Sequence, residues 1–413
     1  MTVCHLTADP KTDREHASQL QRNFAPRTVI LMASLIRAAA CHASPVFLSA
    51  RATTDKALSL IHQAAKNKAN LIVFPETYIP AFPLWSSLRA PTENHDLFRR
   101  MALESVFADG EEIQAIRATA KQTGAIVSIG ISEKVHSSSA TLYNSNLLIG
   151  SNGDVLVHHR KLVPTFFEKL TWSNGDGHGL RVSETALGKI GNLICGENTN
   201  SLARYSLMAQ GEQIHISTWP AAWPTRTAKP TSLNVNGRKG ENSTNATSPM
   251  ARSRNYDNIS ANKVRAAAHC FEAKCYGIVC AGVLDNEAIS VIADGAEDPE
   301  RVSQVLRDSP RSVSMFFDPA GAPMEAFTVN SAGEREAKEF LQHEEGILYA
   351  DFNLEDCIEG KQYHDVSGGY QRLDVFELKV NRHRKSPAVF VDSLQGKPVE
   401  SRTTAQTTEA IEQ

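Results

Sequence analysis

Three side chains of complementary chemistry stand where predicted strands end. Glu76 follows one apolar run, Lys161 follows a second, and Cys195 ends a third, just before a polar turn. Because ligands gather beyond the carboxyl ends of strands in α/β sheets, we expect these side chains to meet. Each also has a plainer interpretation: a surface carboxylate for Glu76, a solvated lysine for Lys161 and a small buried apolar residue for Cys195.

The three residue types together suit nucleophilic catalysis. A cysteine thiolate can attack an electrophilic carbon, a carboxylate can take and return protons, and an ammonium group can meet developing negative charge. Cys195 stands between a predicted strand and the amino terminus of a predicted helix. Unpaired N–H groups and the helix dipole at such a turn predict a lowered thiol pKa and a supply of thiolate.

Composition limits the class of protein. The chain has 413 residues, of which 41% are hydrophobic and 22% charged, with a formal charge of −3. The chain therefore has no excess of positive charge for binding nucleic acid or an anionic membrane. A small molecule is the expected partner. The seven cysteines form no paired framework, which suits a reducing compartment. Residues 28–36 resemble a signal segment, but they begin too late and Arg37 interrupts the apolar stretch, so we predict a cytoplasmic protein without a membrane span.

The elements that position these residues begin with alternating strands and helices. Apolar runs predict strands at 35–41, 71–74 and 125–131. A helix carrying Ala57, Leu60, Ile61, Ala64 and Ala65 on one face separates the first two, and a helix over 112–122 precedes the third.

The middle of the chain changes character. Extended runs at 141–149 and 154–159 are joined around Asn152-Gly153, a strong hairpin signal. Beyond Cys195 the pattern predicts a helix and a strand at 214–218. Asp257 is predicted to cap a further helix whose buried side carries Val264, Ala267, Ala268 and Phe271. Later strands are predicted at 276–283, 312–317 and 346–352, which completes a mixed α/β layered fold.

The length allows two or three domains, but one large α/β domain with insertions fits equally well. We predict a poorly ordered extension at 1–33, a catalytic domain at 34–385 and a loose tail at 386–413. A Ser-, Thr-, Asn- and Gly-rich stretch at 228–253 is predicted to be a surface insertion.

Three separated motifs resemble those of the nitrilase superfamily of carbon-nitrogen hydrolases. They are LIVFPET around Glu76, HRKLVPT around Lys161 and ICGEN around Cys195, in the family's order and at similar spacing. The resemblance spans roughly residues 34–378 and is closest to the nitrilase branch. It implies a four-layer αββα sandwich that needs no metal or organic cofactor, and assembly as a homodimer or a larger, often spiral, homo-oligomer.

The resemblance also implies roles for individual residues. Cys195 becomes the nucleophile, Glu76 the general base and then acid, and Lys161 the group that stabilises tetrahedral intermediates. Glu168 would orient Lys161 or the attacking water; the plainer interpretation of this residue is a loop carboxylate. The backbone N–H of Gly196 could contribute to an oxyanion hole.

The implied reaction is hydrolysis of a nitrile to a carboxylic acid and ammonia through a covalent thioimidate and thioester. Phe82, Thr165 and Trp172 correspond to pocket positions in similar enzymes, and an aromatic pocket would suit aryl or arylalkyl nitriles, although such aromatics could equally belong to the core. Three alternatives stay open: an amidase using the same triad, a member that releases the amide, and a binding or scaffold protein that has lost catalysis.

Overall fold

The computed structural model describes residues 35–224, 257–388 and 390 of the chain. The predicted extension at 1–33, the insertion at 228–253 and most of the tail at 386–413 lie outside these residues, and the domain boundaries stay predictions. Among the described helices, none has the length and apolarity that crossing a bilayer requires.

The described strands, in chain order, are β1 (Ile36–His42), β2 (Leu71–Val73), β3 (Ile126–Val135), β4 (Ser138–Ile149), β5 (Val155–Arg160), β6 (Ser183–Thr185), β7 (Gly188–Ile194), β8 (Ile214–Trp219), β9 (Tyr276–Ala281), β10 (Met315–Phe317), β11 (Phe327–Val329), β12 (Arg335–Ala337) and β13 (Gly346–Phe352). The described α-helices are α1 (Ala50–Lys66), α2 (His95–Glu104), α3 (Glu111–Thr123), α4 (Ser201–Met208), α5 (Asn258–Ala273), α6 (Asn286–Ala293), α7 (Pro299–Asp308) and α8 (Asp356–Tyr363).

These strands form two sheets. The larger has the order β12-β11-β13-β1-β2-β3-β4-β5, and the smaller has the order β10-β9-β8-β7-β6. The predicted hairpin is confirmed, because β4 pairs with β5 antiparallel and places Leu148 opposite Val157. In the smaller sheet β7, β8 and β9 run parallel, and β8 and β9 are buried along their whole length, as expected for strands covered on both faces.

Alternation along β1 defines the layers. Ala38 and Ala40 belong to the core cluster that also contains Ile216 of β8, so this face points at the smaller sheet. Ala39 and Cys41 point the other way, into a cluster with buried residues of α1 and α3. On the far side of the smaller sheet, α5 packs against β9 and β10. The fold is therefore the predicted αββα sandwich, held by three apolar layers.

Helix α5 begins as predicted but buries a different face. Asp257 caps it, accepting a hydrogen bond from the backbone N–H of Ser260 at 3.0 Å. The predicted buried face is wrong: Val264 is 64% and Phe271 49% exposed, and Ala267 and Ala268 are only half-buried. The buried residues are Asn258, Asn262, Ala266, His269, Cys270 and Ala273. The apolar spacing misled because polar side chains occupy the buried face, where a partner in the core satisfies His269.

Candidate active site

Backbone strain marks the turn at Cys195. The residue directly follows β7 and opens a short 3-10 helix with φ of 52°, in the left-handed region that non-glycine residues rarely adopt. Thr77 and Phe166, directly after Glu76 and Thr165, also have positive φ, of 42° and 49°. Such conformations persist only where the surroundings over-determine the backbone, and they cluster at functional sites.

Glu76 lies in a loop pressed onto β3. Only a glycine fits beneath it, because a Cβ on Gly130 would lie 2.3 Å from the carbonyl oxygen of Pro75 and 2.4 Å from the backbone nitrogen of Thr77. Asn144 of β4 donates a hydrogen bond from Nδ2 to Oε1 of Glu76 at 2.7 Å. The other oxygen, Oε2, is buried and has no hydrogen-bond partner among the described residues. It is therefore available to accept a proton.

Lys161 bridges two buried carboxylates. Its Nζ donates to Oε1 of Glu76 at 2.8 Å and to Oε1 and Oε2 of Glu168 at 2.8 and 2.7 Å. All three side chains are 0% exposed. Glu168 is fixed in turn by the backbone N–H of Thr165, which donates to its Oε2 at 3.0 Å. Glu168 is thus a partner of Lys161 and not a solvent-facing loop carboxylate.

Cys195 joins this group. Its Sγ, one oxygen of Glu76 and one oxygen of Glu168 lie within 4.8 Å of one another. Such spacing could in principle suit a metal ion, but the ammonium group of Lys161 already lies between the two carboxylates, and its charge would repel a cation. The arrangement fits proton transfer to and from a thiol.

Burial controls the titration of the site. It raises the pKa of Cys195 well above its ordinary value, and Glu76 adds to the shift while Lys161 opposes it. Burial also raises the pKa of Glu168 to about 7, against the pull of Lys161. Burial alone would lower the pKa of Lys161, but the charges of Cys195, Glu168 and Glu76 outweigh it and hold that pKa well above its usual value.

The prediction of a lowered thiol pKa is therefore wrong. Loss of hydration and a nearby carboxylate outweigh the backbone N–H groups of the turn. The resting residue is a thiol, and attack requires a base within reach.

Of the three predicted pocket residues, only Phe82 is among the described residues that line a cleft. Phe82 borders a small cleft together with Glu76. Trp172 contacts Phe82 with ring centroids 5.4 Å apart but is not among the described residues lining the cleft, and its indole N–H donates to Oγ of Ser132 at 3.0 Å. The side chain of Thr165 faces Gly196, where an added Cβ would lie 2.8 Å from Oγ1.

Two further aromatic residues, which the sequence did not single out, pack with Phe82 and Trp172. These four rings are called the aromatic wall. Trp223 stacks on Phe167 with centroids 4.3 Å apart, and both rings meet Phe82 edge-on at 6.0 and 6.4 Å. Phe167 precedes Glu168 directly. Both Phe167 and Trp223 were visible in the sequence, but nothing there placed them side by side.

Glu197 is another residue that sequence reasoning missed. Its carboxylate accepts hydrogen bonds from the backbone N–H groups of Ile194 at 2.9 Å and Leu162 at 2.6 Å, and its Oε2 lies 2.8 Å from Nε2 of His159. Burial would raise the pKa of Glu197, but His159 and the two backbone donors bring it below its usual value. One buried carboxylate thus ties the segment after Lys161 to the turn that carries the cysteine.

Comparison with known proteins agrees with this geometry. The family model for carbon-nitrogen hydrolases matches residues 37–362. The chain belongs to the carbon-nitrogen hydrolase family. It is 32% identical over 359 residues to the bromoxynil-specific nitrilase of Klebsiella pneumoniae subsp. ozaenae, covering 87% of this chain and 88% of the relative.

Two more relatives of this carbon-nitrogen hydrolase widen the comparison. The arylacetonitrilase of Hypocrea virens is 29% identical over 356 residues, covering 85% of this chain and 93% of the relative. A solved nitrilase-superfamily structure from Saccharomyces cerevisiae superposes with a TM-score of 0.55 at 17% identity, covering 83% of this chain and 97% of that one. That likeness supports the sandwich fold.

Proposed function

We propose that this nitrilase hydrolyses aryl or arylalkyl nitriles, with Cys195 as nucleophile, Glu76 as general base and acid, Lys161 as the stabilising cation and Glu168 as the group that orients Lys161. The observation that carries the proposal is the free Oε2 of Glu76 in a site where a carboxylate oxygen of that residue lies within 4.8 Å of Sγ. A buried acceptor beside a buried thiol removes the need for a preformed thiolate.

The first half of the reaction forms a covalent thioimidate. The S–H proton passes to Glu76 as sulfur bonds to the nitrile carbon. Glu76 then returns this proton to the nitrile nitrogen, which becomes an imine. Lys161 meets the charge that develops on that nitrogen, and the backbone N–H of Gly196 is proposed to share this task.

The second half consumes two waters. Glu76 takes a proton from the first water as the water oxygen bonds to the thioimidate carbon, and it returns this proton to the nitrogen. The proton of the new hydroxyl group then passes to the nitrogen through Glu76, a carbonyl group forms, and the C–N bond breaks as ammonia leaves. The thioester that remains is cleaved by a second water in the same manner. The balance is one nitrile and two waters to one carboxylic acid and one ammonia, with the thiol regenerated.

The aromatic wall supports the substrate class. Phe82 borders the cleft and is backed by the rings of Trp172, Phe167 and Trp223. An edge-on or offset ring contact adds about 0.5–1.5 kcal/mol to area burial, which favours a substrate that brings its own ring. One relative carries the name arylacetonitrilase.

The experiment is a product analysis of the purified protein on phenylacetonitrile, benzonitrile, a short aliphatic nitrile and the matched amides. Acid and ammonia from nitriles, absent in Cys195→Ala, are expected. Hydrolysis of amides alone would overturn the proposal in favour of an amidase, and full turnover by Cys195→Ala would overturn the assignment of the nucleophile.

Phe82→Leu tests the pocket. We expect KM for phenylacetonitrile to rise about tenfold, while KM for the aliphatic nitrile changes little. Phe327→Leu is the matched control, because its ring stacks on Tyr349 in the larger sheet, away from the cleft. Equal effects of both variants would contradict an aryl pocket.

We also propose a homodimer or larger homo-oligomer working in the cytoplasm. Val264 and Phe271 leave apolar surface exposed on α5. The described cysteines at 41, 195, 270, 275, 280 and 357 are free, which suits a reducing compartment. Light scattering on the full chain tests the assembly, and a monomer across micromolar concentrations would overturn it.

A further inference from the structure

Glu212, His215 and His269 form a buried polar cluster. None of these residues takes part in the proposed reaction. Oε1 of Glu212 lies 2.8 Å from Nδ1 of His215, and Oε2 of Glu212 lies 2.7 Å from Nε2 of His269. All three side chains are at most 1% exposed. The two imidazole rings are stacked, with centroids 3.6 Å apart and planes at 20°.

Asn198 connects this cluster to the cysteine turn. Its amide nitrogen lies 3.2 Å from the carbonyl oxygen of Leu193 and 3.0 Å from that of Cys195. Both neighbours can only accept, so the NH₂ group must occupy this position. The amide oxygen therefore faces the other way, 2.8 Å from Nε2 of His215 and 3.1 Å from Oγ of Ser217.

The donors and acceptors around His215 fix its protonation. Nε2 meets the amide oxygen of Asn198 and Nδ1 meets the carboxylate of Glu212, and both of these are acceptors. His215 can satisfy both contacts only by donating from both ring nitrogens, as an imidazolium. Its charge is matched by the carboxylate of Glu212, so the buried pair is neutral overall.

The second histidine of the cluster is neutral. Nδ1 of His269 has no partner among the described residues, and Nε2 donates to Glu212. Burial, aided by the charge of His215, lowers the pKa of His269 to about 4. Burial would raise the pKa of Glu212, but the two histidines hold it at about 2. The nearby guanidinium of Arg204, paired with Glu272, also disfavours a second charge on His269.

We propose that His215 is a positioning residue for the nucleophile, acting through Asn198. As an imidazolium it donates a hydrogen bond to the Asn198 amide oxygen and so fixes the orientation of that amide. The Asn198 NH₂ group then donates to the carbonyl oxygens of Leu193 and Cys195. These carbonyls belong to the strand end and to the turn where Cys195 holds its positive φ. The inference rests on the proposed role of Cys195. Charge-assisted hydrogen bonding from His215 would stabilise the strained turn through Asn198.

A double-mutant cycle tests the proposal. His215→Gln and Asn198→Ser are each expected to lower kcat on phenylacetonitrile by about 10- to 100-fold, since misplacing a reacting atom by 1 Å costs about that much. KM should change less than about threefold, because the aromatic wall is untouched. If His215 acts through Asn198, the double variant loses no more than Asn198→Ser alone. Additive losses, or a raised KM with unchanged kcat, would overturn the proposal.

A matched control separates positioning from loss of a buried imidazole. His42→Gln removes an equally buried ring that lies 2.9 Å from Oγ of Ser314 and 3.1 Å from the carbonyl oxygen of Gln342. It should leave kcat within about threefold of the wild type. Iodoacetamide labelling of Cys195 should slow in His215→Gln and not in His42→Gln. Labelling reports on the thiol without turnover, so it also separates failure of this inference from failure of the proposed function.

The wild-type protein provides a measurement that needs no folded variant of His215. Nitrogen-15 NMR of the histidine rings at pH 7 should show one slowly exchanging ring with both nitrogens protonated, and Glu212→Gln should remove that signal. Neutral rings only would overturn the assignment. Stoichiometric metal in the purified protein, lost in His269→Ala, would overturn it as well by making the cluster a metal site.

Discussion

A methyl group on residue 196 would lie 2.8 Å from the hydroxyl oxygen of Thr165, so Gly196 and Thr165 are in contact across the active site. Thr165 directly precedes the short 3-10 helix that carries Glu168, and its backbone N–H donates to the Glu168 carboxylate. The contact therefore couples the turn of the nucleophile to the segment that fixes Lys161. A glycine stands after Cys195 because a neighbouring side chain fills the space.

This contact predicts that Gly196→Ala lowers kcat about tenfold or more, because the added methyl group and the Thr165 side chain cannot both keep their positions and the N–H of residue 196 is displaced. Thr165→Ala removes both Oγ1 and Cγ2 and leaves Cβ of residue 165 at an ordinary contact distance of 3.8 Å. We expect Gly196→Ala with Thr165→Ala to recover part of the loss. Steady-state kinetics of the two single variants and the double variant check this, and a double variant worse than the product of the single effects would refute the steric explanation.

The raised pKa of the Cys195 thiol predicts slow, pH-dependent alkylation. Labelling by iodoacetamide should accelerate steadily as the pH rises above neutral, since the thiolate is the reactive form. Lys161→Met should slow labelling further, because Lys161 lowers the pKa of that thiol. Mass spectrometry of the Cys195 peptide measures the rate, and Lys189→Met on β7 is the control. Fast, pH-independent labelling at pH 5 would mean that the thiolate is preformed.

The raised pKa of Glu168 predicts that the free energy of unfolding falls as the pH rises. Its pKa is about 7 in the folded protein, above the ordinary value of 4.5, so the folded state binds more protons between those values. This contribution favours folding fully below the unfolded pKa and disappears as the pH rises through 7. We expect the wild type to lose about 2–3 kcal/mol more than Glu168→Gln between pH 5 and pH 8. Urea unfolding of both proteins at the two pH values tests this, and parallel changes would contradict it.

The lowered pKa of Glu197 predicts the opposite pH dependence of stability. Removal of this carboxylate is also expected to destabilise the fold strongly. Its pKa lies below the ordinary value, so its contribution is present above the unfolded pKa and is lost as the pH falls. Glu197→Ala leaves His159 and the backbone N–H groups of Ile194 and Leu162 without their acceptor. We expect a loss of about 3–5 kcal/mol of unfolding free energy and of all turnover. Glu184→Ala, on the short strand β6, is the control, and comparable losses there would argue against a specific role for Glu197.

The fold was predictable wherever local pattern and tertiary environment agree. The strands β1 and β13, the hairpin β4–β5 and helix α1 follow from apolar periodicity and the Asn-Gly turn, because one face of each meets an apolar neighbour. Helix α5 shows where this fails. Its polar residue His269 is buried because Glu212, 57 positions earlier in the chain, supplies the partner.

Residue types and order by themselves determined the candidates Glu76, Lys161 and Cys195, since reactive groups after apolar strands can be read along the chain. The resemblance of three motifs to a known family indicated the family and Glu168. Only the tertiary structure decided their electrostatics. Burial raises the pKa of Cys195, where the local turn predicted the reverse, because desolvation depends on every segment that packs around the thiol. The supports of the turn, Glu197 and the chain from His215 to Asn198, are likewise long-range, and contacts between distant segments leave no periodic signal in a sequence.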